Sequence, residues 1–258
     1  MNSYFAQLEA ALERREQQGT PLQLFFRDDD VAEDEETLRR LLQLFLRWGT
    51  PINLGVIPGL LTATELLLQS RNAAPDLIEL NQHGWLHLNH EPVGRKCEFG
   101  LSRTFAEQLA DIARGQARMN EAFEQHWFPV FIPPWNRCTE ATCQALDQLG
   151  FRALSRDRAD ALCAGTHLRE LPITLDLFRW RGGAQLRSAE ELASELIQQI
   201  EAGTTIGVML HHQVMNEEAF AWVETLLQVC RRHPIVQCYT FERLLELTDE
   251  ERETSRFS

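Results

Sequence analysis

Nowhere in the 258 residues does an apolar run approach the roughly 18 uninterrupted residues that a membrane span requires. The opening stretch MNSYFAQLEAALERREQQG has the period of a charged amphipathic helix and lacks an apolar h-region, so no secretory signal is expected in it. Basic runs are missing too. Arg231 and Arg232 form only a pair, and the formal net charge is -13 with a pI near 5.1. Such a balance argues against a binder of nucleic-acid phosphates. The six cysteines (97, 138, 143, 163, 230 and 238) show no CxxC spacing, which argues against a zinc cluster, and they require no disulfide framework. No linker rich in Pro, Gly or Ser divides the chain. These absences lead to the expectation of a cytoplasmic, reduced protein with no membrane insertion. They also predict one domain over 1–258, with an N-terminal helix at 1–19 and a loose charged tail at 248–258.

What is present is ample core material, 44% hydrophobic residues, in an alternating pattern. Apolar runs of strand length at 22–26, 52–57, 76–80, 129–132, 152–155, 171–177, 205–210 and 235–239 precede or follow stretches of helical period. Helices are predicted near 34–48, through the sixties, and at 104–125, 139–149, 188–202 and 216–232. Strand followed by helix, repeated seven or eight times, predicts a parallel α/β fold, for which a barrel is the economical closure.

The unusual polar residues share one address. Asp28 to Asp30, His83 to His90, Trp135 to Arg137, Asp176 to Arg181, and His211 with His212 each follow the C-terminal end of a predicted strand. In a parallel barrel that end assembles the active site. Three adjacent carboxylates in FFRDDDV repel one another unless something compensates them, and a divalent cation is one candidate. HGWLH offers two imidazoles, His83 and His87. The Gly between strand and second histidine favours a loop over the helix of zinc proteases, whose Glu after the first histidine is Gly84 here. Two neutral imidazoles and one carboxylate form a three-ligand set with an open position, the pattern of catalytic rather than structural zinc.

The order of RDDDV, HGWLH, IPPWN, DLFRW and MLHH, spread over about residues 24–212, resembles the polysaccharide deacetylases, a carbohydrate esterase family. The resemblance implies a distorted, NodB-like (β/α) barrel of about seven strands. It further implies metal-dependent hydrolysis of an N-acetyl group on an amino sugar, oligosaccharide or sugar conjugate. Carried over by position, Asp30, His83 and His87 become metal ligands, Asp29 the general base and His211 the general acid. Trp180 walls the acetyl pocket. The ion expected is divalent, zinc first, with cobalt, iron or manganese compatible with the same donors. Substrate contacts or supporting roles are expected for Trp135, Asn136, Arg137, Asp176, Arg179, His90 and His212.

Three departures from the family pattern stand out. Gly84 replaces a hydroxyl residue, Ile132 replaces an arginine aimed at the base, and Arg179 replaces the second Asp of the fourth motif. A swapped ion pair from Arg179, or from Arg137, is the expected means of keeping Asp29 poised. Two other readings stand beside the deacetylase one. These departures support a metal- and carbohydrate-binding barrel without turnover. The missing signal favours a metal-dependent hydrolase of another amide or ester, because polymeric cell-wall substrates lie outside the membrane.

Overall fold

Leucine-rich amphipathic helices and short, largely buried strands assemble into a curled parallel sheet wrapped by helices. The computed structural model describes residues 3–157 and 162–247; the expected tail at 248–258 lies outside them. The chain runs α1 (Ser3–Gln18), β1 (Leu22–Val31), α2 (Glu36–Trp48), β2 (Ile52–Val56), α3 (Thr64–Ala73) and β3 (Ile78–His83). It continues through α4 (Phe105–Phe123), β4 (Val130–Ile132), α5 (Glu140–Gln148), β5 (Ala153–Leu154), β6 (Arg169–Glu170) and β7 (Leu175–Asp176). The last part holds β8 (Phe178–Arg179), β9 (Gln185–Leu186), α6 (Ala189–Ala202), β10 (Ile206–Leu210), α7 (Glu217–Arg232) and β11 (Val236–Cys238).

The main sheet has the order β6-β5-β4-β3-β2-β1-β10-β7, with β11 added to the start of β1, and every pairing in it is parallel. The run expected as one strand at 171–177 is divided between two neighbours. Leu171 and Ile173 donate to Leu154 and Arg156 beside β5, whereas Thr174 donates to Gly207 of β10. Segment 169–176 thus bridges the two sides of the curl, giving seven strand positions around it, as expected. The small antiparallel pair β8–β9 was not anticipated; it grows from DLFRWRGG and stands at the rim.

Helices cover the outside of the sheet through their apolar faces. On α2, Leu38, Leu41, Leu42 and Phe45 are buried, and α7 buries Phe220, Trp222, Val223, Leu226 and Leu227. Capping boxes at Thr104–Glu107 and Ser188–Glu191 start α4 and α6. A further helical stretch at 241–247 closes the N-terminal end of the strands. Its Phe241 ring packs edge-on to Phe25 at 5.0 Å, and its first amides donate to Asn53 and Glu79. The expectation of six reduced cysteines is corrected in one respect: Cys143 of α5 is disulfide bonded to Cys163, with Cα atoms 5.4 Å apart. Among the described residues no helix is long and apolar enough to cross a membrane.

Candidate metal and catalytic site

Strand β1 supplies the acids. Side chains alternate along a strand, so Arg27 and Asp29 share one side and Asp28 takes the other. A bulge then interrupts the pairing: Asp28 lies opposite Leu54 and Val31 opposite Val56, leaving Asp29 and Asp30 against one residue of β2. Asp30 sits at φ 66°, a conformation uncommon for a residue with a side chain. Both Asp29 and Asp30 consequently line the same cleft, of about 630 Å³.

Each carboxylate of the triplet has its own compensation. Asp28 is fully buried and accepts from His212, at 2.8 Å from the backbone N and 2.6 Å from Nδ1. Asp29 Oδ2 accepts from Arg27 Nη2 at 2.8 Å, and both side chains are buried. Asp30 Oδ1 lies 3.1 Å from His83 Nε2 and 3.2 Å from His87 Nε2.

The arginine partner of Asp29 is therefore neither Arg179 nor Arg137, which corrects the expectation from the sequence. Arg179 is exposed and pairs with Glu191 at 2.7 Å, while Arg137 donates to the Lys96 carbonyl at 2.9 Å. Arg27 is held instead by Ser155, through its carbonyl and Oγ, and by Asn136 Oδ1 at 2.7 Å. The signal was available: an arginine two residues before an aspartate on one strand faces the same way.

His83 ends β3 and the loop beyond it carries His87, with Gly84 at φ 59° and His87 at φ 54°. The stretch is a loop, as the glycine implied. Glu98 braces it, accepting from the backbone N of Trp85 at 3.2 Å and of Leu86 at 2.8 Å. A Cβ at position 84 would stand 2.2 Å from Glu98 Oε2 and 2.5 Å from Pro134 Cγ. Glycine is thus required here, and a buried carboxylate does the bracing that a hydroxyl residue was expected to do.

Asp30, His83 and His87 form the one cluster of metal-ligand type among the described residues, their ligand atoms all within 4.8 Å of one another. The tautomer supports a cation between them. Nδ1 of His83 faces the Ile132 carbonyl at 3.0 Å and donates to it, so in neutral His83 the Nε2 lone pair points at the Asp30 carboxylate. Two acceptors at that distance need a proton or a cation between them. Burial opposes charge on His83, but Asp29 and Asp30 outweigh it and raise its pKa. Burial, with the neighbouring His83 charge, lowers His87 to about 4. Burial would likewise raise Asp30, yet its hydrogen bond to His83 and the surrounding imidazoles hold it well below the usual carboxylate range. The donor set is two nitrogens and one oxygen, suited to a first-row divalent ion.

Opposite this cluster, His211 follows β10. Its ring meets that of Trp180 at 4.5 Å, and the Trp180 indole donates to Asp176 Oδ2 at 2.8 Å. Burial raises the Asp176 pKa against the donation from Phe178 N. Two buried polar atoms lack a hydrogen-bond partner here, Asp29 Oδ1 and His211 Nδ1. Trp135 and Asn136 reach the cleft from a short turn in which both have positive φ, 56° and 57°, and the Trp135 ring lies 4.3 Å from that of His87. Backbone strain of this kind concentrates where a site must be held in place.

The cleft thus gathers Asp29, Asp30, His83, His87, Trp135, Asn136, Arg137, Asp176, Trp180 and His211. Arg179, His90 and His212 are not among its walls. His212 is fully buried behind β1 on Asp28, and His90 sits in the loop beyond His87, its amide donating to the Cys97 carbonyl.

No protein-family model matches the sequence, and a search of curated proteins gives no match. Solved structures do match. A Mycobacterium smegmatis protein, assigned by inference to the polysaccharide deacetylases, superposes with a TM-score of 0.73 at 16% identity, covering 91% of this chain and 92% of its own. A family 4 acetyl xylan esterase from Clostridium thermocellum, solved with a cobalt ion, gives 0.59 at 14% identity over 87% and 91% of the two chains. The peptidoglycan deacetylase PdaC from Bacillus subtilis gives 0.59 at 13% identity over 92% and 96%. The chain has the NodB-like fold of the polysaccharide deacetylases and family 4 carbohydrate esterases.

Proposed function

We propose that this single domain is a metal-dependent hydrolase that removes N-acetyl groups from an amino sugar or sugar conjugate. The observation that carries it is the convergence of Asp30, His83 and His87 with an arginine-held Asp29 and with His211 on one cleft of this fold. Asp30, His83 and His87 would hold the ion, with zinc the first candidate. Such an ion supplies Lewis-acid polarisation of a carbonyl and a bound water of lowered pKa.

The chain's own groups supply the proton transfers. Arg27 occupies Asp29 Oδ2 and leaves Oδ1 free to accept a proton from the attacking water. As the water oxygen bonds to the acetyl carbon, the C–N bond breaks and His211 gives a proton to the departing nitrogen. The products are acetate and a free amine. Trp180 and Trp135 wall the cleft on either side of the reacting group. The reading of a barrel without turnover drew on the altered Arg and Asp positions, and a family 4 pseudoenzyme is among the similar solved structures, but Arg27 supplies a guanidinium to Asp29.

The test is acetate release from N-acetylated glucosamine oligomers and, in parallel, from O-acetyl esters, with chelation and metal return. Asp29→Asn and His211→Ala are each expected to lower kcat by roughly 10²–10⁴-fold with little change in KM. Release that survives chelation or both substitutions would refute the proposal, and release from esters alone would redirect it to ester hydrolysis.

A further inference from the structure

The acids of the cleft are individually satisfied. Asp29 has Arg27, Asp30 lies between two imidazoles, Asp176 accepts from Phe178 and Trp180, Glu195 pairs with Arg187, and Asp157 has Arg156 at 4.0 Å. Two of the cleft's cations lack such an ion pair. Lys96 and Arg137 line the cleft with no carboxylate within 4.0 Å among the described residues, Asp157 feeling Arg137 only at longer range. They are also tied together, since Arg137 Nη1 donates to the Lys96 carbonyl at 2.9 Å. Lys96 is the only lysine in the sequence, and its Nζ stands 5.9 Å from the centre of the Trp135 ring, the same ring that meets His87 at 4.3 Å.

A protein of net charge -13 has carboxylates to spare for neutralising two cations. Leaving both unpaired at the mouth of a cleft makes a ready receptor for an oxyanion, with Arg137 offering a planar fork and Lys96 a mobile point charge. Trp135 lies near both this pair and the metal cluster, with Lys96 Nζ 5.9 Å from its ring centre and the His87 ring 4.3 Å from it. Resting on the deacetylase reading above, we infer that the substrate is an anionic N-acetyl sugar. Its phosphate or carboxylate group is held by Lys96 and Arg137 while its acetamide lies at Asp30, His83 and His87.

Calorimetry on the metal-loaded protein tests this without needing turnover. The probes are N-acetylglucosamine, its 1-phosphate, and N-acetylmuramic acid, against wild type and the Lys96→Gln/Arg137→Gln double variant. At least one anionic sugar is expected to bind about tenfold more tightly than the neutral one, the size expected of two partly exposed ion pairs. That preference should weaken with added salt and fall to about twofold or less in the double variant. Whether the phosphate or the carboxylate probe gains more identifies the group. Equal binding of neutral and anionic sugars, no binding of either anionic sugar at millimolar concentration, or a preference that persists in the double variant overturns the inference. A preference that collapses as expected in a protein releasing no acetate overturns the deacetylase reading alone.

Discussion

Burying Asp28 and Asp29 beside Asp30 would cost several kcal/mol per charge without compensation. The structure distributes the three over distinct partners: a histidine behind the strand, an arginine within it and an imidazole pair across the cleft. Arg27 carries the largest share of this arrangement, because its fully buried guanidinium also ties β1 to Ser155 and Asn136. Removing one member of a buried pair leaves the other uncompensated. Arg27→Met is therefore expected to destabilise the fold by about 3–5 kcal/mol in urea unfolding. Adding Asp29→Asn should recover part of that loss, as coupled neighbours do. Strictly additive losses would show that the pair is not coupled.

At the scale of elements, β3 has two ends with different tasks. Its C-terminal end delivers His83 to the cleft. Its N-terminal end holds Glu79, which accepts from Asn81 and from the first turn of the helical stretch at 241–247. Burial pushes the Glu79 carboxyl up to about 7 from an ordinary value of 4.5, against those donors. Between these two values the folded protein keeps a proton that the unfolded chain has released. This group's contribution is accordingly full below about pH 4.5 and is lost as pH rises through about 7. Glu79→Gln should flatten the decline of Tm between pH 5 and pH 8 relative to wild type. An unchanged slope would show that Glu79 is not the group responsible.

Across the whole molecule, the alternation of strand and helix was legible because periodicity is local, and so was the clustering of polar residues at strand ends. What escaped reading depends on contacts between distant segments. Segment 169–176 divides its hydrogen bonds between β5 and β10, a division invisible in LPITLDL itself. The tie from Arg27 to Ser155 crosses 128 positions, so nothing local marks that second partner, although the spacing to Asp29 marks the first. Gly84 lacks a bracing hydroxyl, and Glu98, from farther along the loop, braces the backbone there instead. The Cys143–Cys163 bond joins residues 20 apart with no spacing motif to announce it.

The central claim is that Asp30, His83 and His87 converge on one ion. Elemental analysis of the purified chain after reconstitution, beside Asp30→Ala and His83→Ala, tests it most directly. The account predicts about one divalent ion per wild-type chain and its loss from both variants. A wild-type chain that takes up no ion, or variants that keep it, would contradict the account.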